Sequence, residues 1–190
     1  MNASSHLARL IASELEQSAQ LIADSSITEL AETVMRSEQV FLAGAGRSGL
    51  MGRAFAMRLM HAGIPAYVVG ETVTPGITER DLLIIGSGSG ETASLVLMAS
   101  KAKAAKASVA AVTINPDSSL GSISDLVVKL PGAVKDRSEQ DQGAGTLTLQ
   151  PMGSLFEQTL LLFYDAVILR IMQLKGLNGT GMYGNHANLE

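Results

Sequence analysis

The sequence holds no cysteine and no tryptophan, and its aromatic residues make up only 4% of 190 positions. Without cysteine there is no disulfide, no zinc–thiolate or iron–sulfur site and no thiol nucleophile. With so few aromatics there is no stacking platform for single-stranded nucleic acid. Basic charge is scarce as well: 14 Lys and Arg stand against 18 Asp and Glu, a net charge of −4. A mildly acidic chain with no basic run lacks the footprint of a nucleic-acid binder, so no such partner is expected. No apolar run approaches the roughly 20 residues of a membrane span. Residues 1–30 also lack the basic-then-apolar pattern of a secretory signal. A cytoplasmic protein with no membrane partner is expected. The three histidines, His6, His61 and His186, are scattered, so no metal site is expected.

What is present is an ordinary globular balance, 46% hydrophobic and 17% charged, in a chain of one-domain length. Helical spacing of apolar residues runs from His6 to Ala23 and again from Ile27 to Met35, an N-terminal helical region over 5–36. Short apolar runs at Val40–Ala43, Pro65–Val69, Leu82–Ile85, Val109–Ile114 and Leu126–Leu130 predict five buried strands. Helices are predicted at Arg47–Ala62 and Thr92–Lys106. A glycine-containing stretch, 131–150, precedes a strongly apolar helix at Ser154–Leu174. The Gly- and Asn-rich tail, 176–190, reads as disordered on composition. Strands alternating with helices imply a parallel sheet covered on both faces. The expected architecture is a single-domain, three-layer α/β sandwich with a five-stranded parallel sheet of the flavodoxin-like kind. The near-absence of charge in the last helix implies burial on more than one side, hence a homodimer or homotetramer.

In such a sheet ligands bind beyond the carboxyl ends of the strands. Four loops lie there: Gly44-Ala45-Gly46-Arg47-Ser48-Gly49, Gly70-Glu71-Thr72-Val73-Thr74-Pro75, Ser87-Gly88-Ser89-Gly90-Glu91-Thr92 and Asn115-Pro116-Asp117-Ser118-Ser119. The first fits G-x-G-x-x-G, and Glu71 lies near the acidic position that a dinucleotide site requires. Arg47 and Ser48 put charge and hydroxyl where such a loop needs neither, and the second Ser/Gly loop has no place in that reading. No Gly-Lys-Ser/Thr or Gly-x-Ser-x-Gly occurs, so neither a P-loop nor a hydrolase elbow is present. Alternating Ser and Gly lets backbone N–H groups and hydroxyls converge on an anion at a helix N-terminus, with Thr92 placed to cap that helix. The alternative is a flexible loop with an ordinary cap.

The first three of these loops, in this order and spacing, resemble the sugar isomerase (SIS) domain family, and within it the 6-phospho-3-hexuloisomerases. The resemblance continues through Gln150-Pro151-Met152-Gly153-Ser154-Leu155-Phe156-Glu157-Gln158 to His186-Ala187-Asn188-Leu189-Glu190. It departs at Asn185, where the pattern has a basic residue. The resemblance implies interconversion of 3-hexulose 6-phosphate and fructose 6-phosphate through an enediol. Such chemistry needs a phosphate grip, a base and donors for an enediol oxygen, and no cofactor. Other sugar-phosphate isomerases, of arabinose 5-phosphate or heptose phosphate, and a non-catalytic sugar-phosphate-binding regulator are the alternatives.

Gly46, Arg47, Ser48, Ser87, Ser89, Thr92, Glu71 and Thr72 are the candidate phosphate and substrate contacts. Glu71 and Glu91 otherwise serve as loop-ordering acceptors, and Arg47 as a solvated helix-start residue. Glu157 is the candidate base, since an apolar setting raises a carboxyl toward useful basicity. Its spacing from Ser154 equally fits a helix capping box. His61 and His186 are the candidate aids to ring opening. His61 otherwise satisfies a helix C-terminus, and His186 gains a role only if the tail closes over a neighbouring subunit's site.

Overall fold

The computed structural model describes residues 3–132 and 148–189. Its elements are α1 (Ala3–Gln20), α2 (Asp24–Arg36), β1 (Val40–Gly44), α3 (Gly46–His61), β2 (Ala66–Val68), β3 (Leu82–Gly86), α4 (Ala93–Ala104), β4 (Ser108–Thr113), α5 (Ser119–Ile123), β5 (Leu126–Lys129), α6 (Ser154–Lys175) and α7 (Gly179–Tyr183). The five strands pair in parallel in the order β2-β1-β3-β4-β5. That is the flavodoxin-like order, with its reversal between β1 and β3.

Strand side chains alternate between two cores. Val40, Leu42, Leu82, Ile84, Ala110 and Val112 face α2, α3 and α6. Phe41, Ala43, Leu83, Ile85, Val109 and Ala111 face α4 and α5. Both faces are therefore dry, which is why the strands read as unbroken apolar runs. The Phe55 ring of α3 stacks on Tyr164 of α6 at 4.3 Å and 2°. The α6 helix lies so close to β3 that a Cβ on Gly86 would come within 2.8 Å of Leu160 Cδ2.

Element boundaries differ from expectation mainly at the ends. The second helix, expected from Ile27, starts at Asp24, which suits the positive end of a helix. The short α5 has no counterpart among the expected elements. The tail expected to be disordered instead forms α7, capped by Asn178 Oδ1 accepting from Gly181 N at 2.9 Å. Most of the glycine-containing stretch, and Glu190 of the terminal motif, lie outside the described residues.

Two glycines shape the first loop by different means. Gly46 has φ of +57° with open space around it, whereas a Cβ on Gly49 would sit 2.6 Å from the Gly44 carbonyl oxygen. Gly46→Ala should cost about 1 kcal/mol through left-handed strain alone, roughly 2–4 °C in Tm. Gly49→Ala should lower Tm at least twice as far, because two backbones must separate. Thermal unfolding of the pair checks the ranking.

Candidate functional site

Three helices begin at the carboxyl end of the sheet without a side-chain cap. The N-cap residues Ala45 of α3, Thr92 of α4 and Gly153 of α6 make no capping hydrogen bond. Leu95 N donates to Thr92 O and Ser154 N to Pro151 O; the other first-turn N–H groups are left for another acceptor, and the helix dipoles add positive potential at the same place. Thr92 holds the expected N-cap position, but its hydroxyl is not spent on the helix.

Serine hydroxyls surround these ends. Ser48 is buried in the first turn of α3, and Ser87 is buried beyond β3. Ser87 Oγ accepts from Gly90 N at 3.2 Å, and Ser89 Oγ accepts from Glu91 N at 3.2 Å. Each hydroxyl uses a lone pair within its own loop and keeps its hydrogen to donate. The loop is stitched to its neighbour after β4: Gly88 O accepts from Ile114 N at 3.1 Å and from Thr113 Oγ1 at 3.1 Å. Glu91 extends that seam. Its Oε1 accepts from Ser119 N at 2.8 Å and its Oε2 from Ser119 Oγ at 2.6 Å. The Ser119 hydroxyl and amide hold the Glu91 carboxyl below its ordinary value.

Glu157 sits at the start of α6, only 4% exposed. The capping box does not form: Ser154 is the first helical residue, Gly153 is the N-cap, and Glu157 N donates to Gly153 O at 3.0 Å. The carboxylate turns instead to α3, where Glu157 Oε2 accepts from Arg47 Nε at 2.6 Å. The Arg47 side chain stays 58% exposed, so most of its donor fork faces the open mouth. At the end of β2, Glu71 pairs with Arg53 across to α3, and Thr72 is exposed beside it. With Arg53 upon it, Glu71 is not free to hold a ribose.

The two histidines lie elsewhere. His61 ends α3, fifteen residues from Gly46, which is about 22 Å along the helix. It is buried beneath His186, with ring centroids 5.2 Å apart. Burial, and then the nearby Arg58 and His186, hold its imidazole below the ordinary 6.5. Asn185 Nδ2 donates to His61 O at 3.1 Å, and Lys175 Nζ donates to Ala62 O at 2.8 Å. The neutral Asn185 thus closes the end of α3. Arg58, His61, Asp165, Leu169, Tyr183 and His186 help line a cleft of about 390 Å³ there. Within one chain, Glu157 and the histidines do not meet.

Known proteins share this fold. Residues 34–162 match the SIS domain family model. The chain belongs to the SIS domain family. It is similar to a Bacillus subtilis 3-hexulose-6-phosphate isomerase, 56% identical over 95% of each chain. A Mycobacterium gastri 3-hexulose-6-phosphate isomerase is 41% identical, over 95% of this chain and 88% of the relative. Among solved structures, a Methanococcus jannaschii protein inferred to have 3-hexulose-6-phosphate isomerase function superposes with a TM-score of 0.82. It is 32% identical, over 97% of this chain and 99% of that one. None of the helices among the described residues of this SIS protein is long and apolar enough to cross a membrane.

One group at this end of the SIS fold carries no sequence signal. Glu14, on α1, binds the segment just before α6, and its partner Thr148 is 134 residues away.

The Glu91 tether has a testable acid limit. A carboxyl held below its ordinary 4.5 keeps its folded contacts at neutral pH and loses them as pH falls through that lowered value. Hydrogen exchange at the Ser119 amide, corrected for the intrinsic rate, should stay slow from neutral pH to 4.5. It should quicken only below that. In Glu91→Gln the acid step should vanish.

Proposed function

We propose that this chain interconverts 3-hexulose 6-phosphate and fructose 6-phosphate, with Glu157 as the proton shuttle. The observation that carries the reading is the buried Glu157 carboxylate, paired with Arg47 at the mouth where three uncapped helix N-termini converge. The names of the relatives supply the sugar. The phosphate is gripped by the first-turn amides with Ser48, Ser87, Ser89 and Thr92, and Arg47 adds charge-assisted donors beside Gly46. Glu71 and Thr72 face the sugar from the β2 side. Glu157 takes the proton from C2 of the 3-hexulose, leaving a 2,3-enediol, and returns it to C3. The hydroxyl proton moves from O2 to O3, so the ketone passes from C3 to C2 with no change in composition. The whole chain acts as one SIS unit, and a phosphorylated metabolite as substrate argues for a cytoplasmic location.

The histidines enter through a second copy. On α3, Arg47, Leu50, Ala54, Met57 and Met60 recur at helical spacing, and Leu50 and Met57 are 56% and 47% exposed. Antiparallel pairing of two α3 helices about an axis between Arg53 and Ala54 sets Leu50 against Met57 of the partner subunit. The same register sets Gly46 against His61 of the partner subunit. Leu162 and Leu169 widen this exposed apolar surface on the neighbouring α6. A homodimer, alone or as half of a tetramer, therefore brings His61 and the tail residue His186 to a Glu157 site for ring opening.

A coupled assay tests the reaction: 3-hexulose 6-phosphate made from formaldehyde and ribulose 5-phosphate, with fructose 6-phosphate read out. Turnover of arabinose 5-phosphate instead would favour the other isomerase reading. Glu157→Gln should lower kcat by about 10²–10⁴ with KM little changed. Exchange of the carbon-bound proton with D₂O should also cease in that variant. Replacing Ser87 and Ser89 together by Ala should raise KM strongly without unfolding the chain. Mixing Glu157→Gln with His61→Ala chains should recover activity in hybrids that neither variant has alone. Absence of that recovery would rule out a shared site.

A further inference from the structure

Glu14 is a buried carboxylate that the chemistry above does not use. It lies on α1 and is 8% exposed. Its Oε1 accepts from Leu149 N at 2.9 Å, and its Oε2 accepts from Thr148 Oγ1 at 2.6 Å and Gln150 Nε2 at 2.8 Å. Gln150 N in turn donates to Thr148 Oγ1 at 2.9 Å, closing the knot. Burial pushes the Glu14 carboxyl up, but the three donors outweigh it and hold it below its ordinary value. The group is therefore ionised at neutral pH, and among the described residues its donors are neutral. A desolvated charge is costly unless several donors converge on it.

Just beyond this knot the chain makes a strained entry into α6. Met152 has φ of +55°, a left-handed conformation that a residue with a side chain adopts only when its surroundings enforce it. Ser154 N donates to Pro151 O at 3.2 Å, and Gly153 then starts the helix that carries Glu157. Such strain persists only when the backbone is held on both sides. The packed α6 holds one side, and the Glu14 knot holds the other.

We propose that Glu14 is a positioning residue for Glu157, fixing through Thr148, Leu149 and Gln150 the point and angle at which α6 begins. The inference rests on Glu157 being the base. It gives α1, which packs on α6, a part in turnover: it sets the register of the carboxylate against Arg47. Misplacement of a reacting group by about 1 Å can cost as much as a hundredfold in rate.

The decisive variant is Glu14→Gln in the full-length chain. Its amide keeps the shape but turns a donor toward groups that themselves donate. The expected result is a kcat at least tenfold lower, with KM for the sugar phosphate within twofold of wild type. Thr148→Val, which deletes one of the three bonds to Glu14 and the acceptor of Gln150 N, should shift kcat in the same direction by less, and it keeps the test open if Glu14→Gln folds poorly. Glu14→Gln combined with Glu157→Gln should fall no further than Glu157→Gln alone, because the two act through one group. A merely structural Glu14 would lower Tm and leave the rate per folded site unchanged. Unchanged kcat in both variants, or an additive loss in the double variant, overturns the proposal. Full activity in Glu157→Gln would instead overturn the base assignment on which it rests.

Discussion

The arrangement depends on how α6 lies against the sheet. At Gly86 the third strand offers no side chain, and Leu160 and Tyr164 occupy the space a Cβ would fill. Tyr164 also stacks on Phe55, so a single residue fixes α6 against both the sheet and α3. Fixed in this way, α6 can start only at the carboxyl end of the strands, beside the start of α3. A helix further from the sheet, or slipped by one turn, would carry Glu157 away from Arg47 and the Ser/Gly loops. Close packing in the dry interior thus sets a distance in the polar mouth.

The Arg47–Glu157 pair illustrates a division of labour in electrostatics. The carboxylate is buried and the guanidinium is largely open. A partly exposed pair of this kind adds little to stability. What it does is orient: Arg47 Nε holds the buried carboxylate in one place while the guanidinium stays largely exposed. The uncapped ends of α3, α4 and α6 act in the same sense. Each gives up a modest capping gain and leaves first-turn N–H groups without a side-chain acceptor at the carboxyl end of the sheet.

The fold is legible in the sequence because a parallel sheet buried on both faces writes itself as short apolar runs, and Val40–Ala43, Leu82–Ile85 and Val109–Ile114 are such runs. The loops are legible because Gly and Ser at a strand end have few other uses. The capping box misleads for a physical reason. Ser154 and Glu157 have the right spacing, but the pull of Arg47 on the carboxylate is tertiary and leaves no local trace. Composition likewise makes the tail look disordered, because it cannot register that Asn185 and His186 dock on the end of α3. Glu14 is invisible for the same reason at greater range. A charge amid half-apolar helix residues reads as solvent-facing until its donors, more than 130 residues on, are brought to it.

The closure of α3 has a consequence for how the chain is made. The carbonyls of His61 and Ala62, at its end, are satisfied by side chains 124 and 113 residues further along. On the sheet face that α6 shares with α2 and α3, the part under α6 waits in the same way. On the ribosome the five strands emerge first with α2 and α3, leaving open the part of that face that α6 covers and leaving the end of α3 frayed. The end of α3 is closed only once Lys175 and Asn185 are in place. Pairings this distant in sequence carry a large loop-closure entropy and slow the final step. During that interval the exposed Val, Leu and Ile of the sheet are the part of the molecule most open to chaperones and to aggregation.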